Sequence, residues 1–156
     1  MMLEIERKYL VNSDEYKVLA DKKYRIMQAY LVADDIRTIR IRMKAGKACI
    51  TIKSRTDDTG ISRHEWEYDI PVSDLRDMLS LCEPGIIEKT RYEVAYKGHV
   101  IEVDEFHGEN AGLVVAEIEL RSENEKIALP RWLGQEVTGM KQYYNSCLRK
   151  KPYNTW

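Results

Sequence analysis

A chain of 156 residues with 44% apolar content is long enough for one domain with a real core, and no Pro/Gly/Ser-rich stretch divides it, so residues 1–156 are expected to form a single domain. Although 33% of the residues are charged, the net charge is −1, which excludes the global basic excess of a general nucleic-acid or membrane-surface binder and leaves any charge effect to arrangement. No apolar run approaches the ~20 residues of a membrane span and no signal-like segment opens the chain. Cys49, Cys82 and Cys147 are odd in number and widely spaced. Together these features predict a cytoplasmic protein with reduced thiols that serve packing.

The first element reads as a strand, Glu4 to Leu10, in which Glu4, Glu6 and Lys8 share one face and Ile5 lies on the other. Asn12 followed by Glu15 marks a helix start, with Tyr16, Leu19, Ala20 and Lys23 at helical spacing. Arg40 and Arg42 then alternate with Ile39, Ile41 and Met43, and Ala45-Gly46 signals a hairpin into Lys53 and Arg55 against Ile50 and Ile52. Beyond a turn at Asp57 to Gly60, Glu65, Glu67 and Asp69 alternate with Trp66, Tyr68 and Ile70. Ser73 opens a second helix carrying Leu75, Met78, Leu79 and Cys82, which stops at Pro84-Gly85. Three more strands carry Lys89 and Arg91, then Glu102 and Asp104, then Glu117 and Glu119, with Lys97-Gly98 turning between the first two. A short helix is expected after Ser122, and a C-terminal one through Met140, Tyr144, Cys147 and Leu148. Trp66, Tyr68 and Tyr92 fall on apolar faces and read as core.

Seven strands thus each carry paired charges on one face. A solvated face would explain one or two of them. Seven is another matter, because two like charges ~4 Å apart interact by ~4 kcal/mol at an effective dielectric of ~20. Closing the sheet converts the charged side into a lumen and leaves the apolar side for helices to cover. The expected fold is mainly antiparallel β with a few helices (α+β): a closed barrel with a charged lumen and helices packed outside.

Lys and Arg clusters suit phosphate oxygens, and carboxylate clusters without His or Cys suit hard cations, Mg²⁺ or Mn²⁺. A ligand that uses both is a polyphosphate carrying metal. Other chemistries lack support: His64, His99 and His107 have no zinc spacing, no GxxxxGK[ST] loop is present, and no GxSxG elbow is present.

These residues resemble the triphosphate tunnel metalloenzymes of the CYTH superfamily. Glu4-Ile5-Glu6-Arg7-Lys8 matches their ExExK signature. It is followed in family order by Gln28-Ala29-Tyr30-Leu31, Arg40-Ile41-Arg42, Thr51-Ile52-Lys53, Glu65-Trp66-Glu67, Lys89-Thr90-Arg91-Tyr92, Glu102-Val103-Asp104, Glu117-Ile118-Glu119, Val137-Thr138 and Tyr144-Asn145. The resemblance implies an eight-stranded tunnel that hydrolyses or rearranges triphosphate compounds with Mg²⁺ or Mn²⁺. It assigns Glu4, Glu6, Glu117 and Glu119 to metal, with Glu65, Glu67 and Asp104 completing the acidic side, and makes Lys8, Tyr30 and Glu67 the catalytic residues. Arg40, Arg42, Lys53, Lys89 and Arg91 would line the triphosphate path, Lys8 would sit near the phosphates, and Tyr30 would orient Lys8. Arg55 and Arg63 point the same way by parity. The compact length is most like the small bacterial tripolyphosphatases, which implies hydrolysis of tripolyphosphate to pyrophosphate and phosphate by a monomer or homodimer whose only partner is a small-molecule triphosphate. The alternatives are a class IV-type adenylate cyclase, a thiamine triphosphatase on the same tunnel, or a non-catalytic polyphosphate- or nucleotide-binding module.

Overall fold

A computed structural model describes residues 2–156. In chain order they form β1 (Met2–Val11), α1 (Tyr16–Leu19), β2 (Lys22–Ala33), β3 (Arg37–Lys44), β4 (Lys47–Ser54), β5 (Ser62–Ile70), α2 (Val72–Met78), β6 (Ile87–Tyr96), β7 (His99–Phe106), β8 (Val114–Glu119), β9 (Leu133–Glu136) and α3 (Asn145–Leu148). The strands lie in the order β5-β4-β3-β2-β6-β7-β8-β1-β9, and β5 also pairs with β1. That pairing, Met2–Ile5 against Ser62–Glu65, closes eight antiparallel strands into a barrel. β9 is a short addition beside the far end of β1, at Tyr9 and Val11.

The strands read from alternating charge are all present. β2 escapes that signal because its inward positions, Tyr24, Ile26, Gln28 and Tyr30, carry no charge, although the register sets them beside Arg91, Lys89, Arg42 and Arg40. Ala45-Gly46 and Lys97-Gly98 both turn with two positive φ angles (49° and 77°, 46° and 81°). Those are the type I′ values that match the twist of adjoining strands.

The helices are shorter than their apolar spacing predicts. α1 is a single turn, because Ala20 is already extended and Lys23 belongs to β2. Tyr16 anchors it edge-on to Tyr92, with ring centroids 5.2 Å apart. No helix follows Ser122: one turn closes when the Glu125 amide donates to the Ser122 carbonyl, and the chain then runs irregularly to Pro130. The C-terminal helix is broken at Tyr144, whose extended backbone separates a 3₁₀ turn (Lys141–Tyr143) from α3.

Two apolar layers cover the outside of the barrel. Ile5, Tyr9, Val94, Ile101, Val103 and Ile118 pack under α1, Trp132 and Leu133, and Ala29, Ile41 and Ala48 pack under Leu75 of α2. Among the strands, α2 packs mainly against β3 and β4. Tyr68 on β5 therefore stays 58% exposed and Trp66 half-buried, so of the three aromatic residues read as core only Tyr92 is fully buried. The third apolar cluster lies inside. Leu10, Ile87, Phe106 and Val115 occupy inward positions beyond the charged ones and pack with Leu113 and Leu148. α3 thus fills one end of the barrel and does not pack outside it, a correction to the expected helix arrangement.

Leu148 is fully buried in this plug. Leu148→Ala is expected to cost about 2–5 kcal/mol in urea unfolding, against under about 1 kcal/mol for Val18→Ala on the exposed face of α1, where the side chain is 89% exposed. Equal effects would show that α3 does not plug the barrel.

Candidate active site

The barrel encloses a cavity of about 640 Å³, lined by nine Lys and Arg side chains and seven Glu side chains. In a ring of eight, strands four places apart face each other. The ring order therefore sets β8, with Glu117 and Glu119, opposite β3, with Arg40 and Arg42. β1 lies next to β8, and the register pairs Glu6 with Glu119 and Lys8 with Glu117. One wall is acidic and the facing wall is basic.

Charges this deep need partners. Lys53 Nζ lies 2.7 Å from Glu4 and 3.0 Å from Glu65, and Arg63 Nε lies 2.9 Å from Glu4. Burial pushes the Glu4 carboxyl up, but Lys53 and Arg63 outweigh it and hold it at about 2. Lys8 Nζ donates to Glu117 at 2.7 Å and lies 5.6 Å from the centre of the Tyr144 ring. Burial raises the Glu117 carboxyl, and Lys8, Arg91 and Lys89 drive it well below the usual range. Glu6 and Glu119 behave oppositely. Both are raised, first by burial and then by neighbouring carboxylates, Glu117 for Glu6 and Glu4 for Glu119. Glu6 lies 3.6 Å from Lys8 and 3.8 Å from Arg63, while Glu119 is exposed and has no ion-pair partner among the described residues.

On the basic wall it is donors that lack partners. Arg40 donates to Thr51 at 3.2 Å and Arg42 to Glu67 at 3.2 Å, yet the Nε of each arginine is buried without a hydrogen-bond partner. An orphaned buried donor costs about 1–3 kcal/mol, more when charged. Glu67 also accepts from Thr51 at 2.9 Å, and Arg42 with that hydroxyl outweighs burial to keep its carboxyl low.

All the residues that the resemblance assigns to the site except Asp104 line this cavity. Asp104 is 1% exposed and sits behind the wall, gripping Arg91 through both oxygens (2.7 and 2.8 Å) and Lys89 at 2.6 Å. Burial, aided by Arg91, lowers Lys89 to about 8 despite Asp104. Glu102, with the same strand parity as Asp104, takes the cavity position and pairs with Arg91. Parity gives the face of a residue but not its depth. Arg63 joins the site, whereas Arg55 is exposed and does not line it. No hydrogen bond joins Tyr30 to Lys8 among the described residues; the Tyr30 hydroxyl accepts from Gln28 at 3.0 Å. The plug supplies Tyr144, Asn145 and Ser146, and Asn145 Oδ1 accepts from Lys89 at 3.0 Å. No periodicity announces that contribution, because it depends on α3 turning into the barrel.

The donor set on the acidic wall is oxygen only, which fits a hard cation. Among the described residues no three carboxylates form a ligand cluster, since Glu4 and Glu117 are engaged by Lys53, Arg63 and Lys8.

A closed antiparallel barrel with its charge directed inward, acidic wall against basic wall, defines a tunnel protein for anions accompanied by cations. The chain belongs to the CYTH family, whose domain matches residues 2–148. It is 47% identical over 154 residues to the inorganic triphosphatase of Acetivibrio thermocellus, covering 98% of this chain and 97% of that protein. It is 35% identical over 151 residues to the inorganic triphosphatase of Nitrosomonas europaea, covering 94% and 97%. A solved crystal structure of an inorganic triphosphatase superposes with a TM-score of 0.66 at 30% identity, over 96% of this chain and 95% of that one.

Arg91 and Lys89 outweigh burial and hold the Asp104 carboxyl below its ordinary range. Its stabilisation is therefore complete above the unfolded value of about 3.9 and is lost as pH falls through the lower folded value. Asp104→Asn, which removes the buried charge that Lys89 and Arg91 share and leaves Arg91 to Glu102 and Lys89 to Asn145, is expected to cost about 3–5 kcal/mol at pH 7. The gap to wild type should narrow as pH is taken below the lowered folded value, where wild type also loses this charge. Urea unfolding at both pH values reads the difference, and a gap independent of pH would mean that Asp104 is not the charged anchor.

Proposed function

We propose that this protein hydrolyses inorganic triphosphate to pyrophosphate and phosphate. The observation that carries the reading is the opposition of the two walls of the cavity: buried Arg40 and Arg42 Nε donors without a partner on β3, and the carboxylates Glu6, Glu117 and Glu119 on the facing wall. A polyanion bridged to a divalent cation suits both. Inorganic triphosphatase is also the activity for which the relatives from Acetivibrio thermocellus and Nitrosomonas europaea are named, each matched over nearly its whole length.

Glu4, Glu6, Glu117 and Glu119 are the residues that would hold the cation, Mg²⁺ or Mn²⁺. Bound there, it would neutralise phosphate oxygens and lower the pKa of a coordinated water. Lys8, Lys53 and Arg63, now held by those carboxylates, would be released toward phosphate oxygens when the carboxylates engage a cation. Arg40 and Arg42 bind the chain of phosphates from β3, while Lys89 and Arg91, fixed by Asp104, bind it from β6. Glu67 keeps its charge beside Arg42, where it can orient a water. Pyrophosphate spans fewer of these cations and should be a poor substrate.

The cavity argues against cyclase and thiamine triphosphate readings, because its aromatic side chains other than His99 are Tyr30 and Tyr144, and neither stands as a free platform for a base or thiazole ring: Tyr30 is stacked by Arg149 and Tyr144 lies against Lys8. The free state of all three cysteines fits the cytoplasm, and among the described residues no helix is long and apolar enough to cross a membrane.

Phosphate release from tripolyphosphate, pyrophosphate, ATP and thiamine triphosphate, each with Mg²⁺, Mn²⁺ or chelator, tests the proposal. Metal-dependent release from tripolyphosphate at least tenfold above the others is expected. Pyrophosphate cleaved as fast as tripolyphosphate, or no turnover at all, would overturn it. Glu119→Gln removes one charge with little change of shape; it is expected to lower turnover at least a hundredfold while abolishing most of the rise in melting temperature that Mg²⁺ plus tripolyphosphate gives wild type.

A further inference from the structure

Gln28 is fully buried on the inward face of β2, beside Arg42 and Ile87 in register, yet it does not line the cavity. A leucine or methionine would fill that position without bringing a carboxamide out of water. Gln28 instead donates from Nε2 to the Tyr30 hydroxyl oxygen at 3.0 Å and leaves its own Oε1 without a partner. Retaining a half-satisfied buried amide indicates use for the bond it does make.

Tyr30 is the receiving end. It is 4% exposed, borders the cavity and lies opposite Arg40 in register. Its ring is fixed by the Arg149 guanidinium, 5.7 Å from the centroid, and Arg149 is in turn held by Glu83 and by the Pro84 carbonyl at 3.1 Å. Because Gln28 donates to the Tyr30 oxygen, the phenolic proton is not spent on Gln28, and it has no other acceptor among the described residues. A hydroxyl carries one proton and it must point somewhere. With ring and oxygen both fixed, the direction left for it is the cavity, on the side of Arg40.

We infer that Gln28 is a positioning residue that turns Tyr30 into a neutral hydrogen-bond donor toward a phosphate oxygen of the substrate bound at Arg40. The inference rests on the triphosphatase reading above and adds a polar, uncharged contact to a site otherwise built from ions. Such a contact is directional in a way that the flexible ammonium groups are not. The opposite amide orientation, in which Tyr30 donates to Oε1, would consume the proton and remove the contact.

A double-mutant cycle decides between them. Tripolyphosphate turnover and calorimetric binding are measured for wild type, Gln28→Met, Tyr30→Phe and the double variant, with melting curves for each. Tyr30→Phe is expected to lower kcat/KM about tenfold and Gln28→Met by a similar factor, with the same division between kcat and KM. The double variant should lose no more than either single one. Multiplicative losses would show that Gln28 acts only on the fold, and unchanged kinetics in Tyr30→Phe would show that its proton never meets substrate; either result overturns the inference. If Gln28→Met does not fold, Tyr30→Phe alone carries the test through turnover and binding. Wild type without triphosphatase activity would sink the underlying reading, whereas active wild type with unaltered Tyr30→Phe sinks only this step.

Discussion

The seam between β1 and β5 is the constraint on which the rest depends. Met2–Ile5 meets Ser62–Glu65 there, and the ring of eight closes. Left open, the strands would hold their charges against water, where an ion pair is worth a fraction of a kcal/mol. Closed, they share an interior in which an unpaired charge costs several kcal/mol, so every carboxylate needs a cation and every cation a carboxylate or a ligand. Glu4 shows the effect directly: the seam places it within reach of Arg63 on β5 and Lys53 on β4, and the three become one buried group. β1 carries more than its share, pairing with β5, β8 and β9 along one length.

Within that closed ring the sorting of charge by strand decides the chemistry. Acid on β1 and β8, base on β3 and base anchored on β6 by Asp104 give the cavity a direction across its width. The anchoring is economical in residues: Asp104 holds Lys89 and Arg91 together, and both partners belong to one strand, two positions apart. The plug from α3 finishes the site, since Asn145 reaches Lys89 and the Tyr144 ring lies against Lys8. The break in the C-terminal helix at Tyr144 is therefore what brings that ring to the cavity.

Much of this was legible in the sequence because a strand writes its two faces in alternate letters. Glu4, Glu6 and Lys8, or Arg40 and Arg42, announce face and chemistry together, and two-residue turns such as Ala45-Gly46 fix the register between neighbours. β2 was silent because Tyr24, Ile26, Gln28 and Tyr30 line the interior without charge, and only family likeness drew attention to Gln28-Ala29-Tyr30-Leu31. The helices fall short of their apolar spacing for a different reason. Tyr16, Leu19 and Ala20 satisfy helical spacing, but Ala20 is drawn into the extended path that leads to β2, so tertiary context overrode the pattern. Depth was the remaining blind spot: nothing in Glu102-Val103-Asp104 says that one carboxylate meets the cavity and the other is sealed behind it.

The interior plug also sets the traffic. With Leu148, Phe106, Ile87 and Val115 packed together across one end, the charged chamber is a vessel and not a pipe at that end. Nothing leaves through that packed end, so a cleaved fragment has to clear the chamber by another route before the next molecule takes its place. The same wall that keeps the ions strong by excluding water from behind them thus makes emptying the chamber part of every cycle.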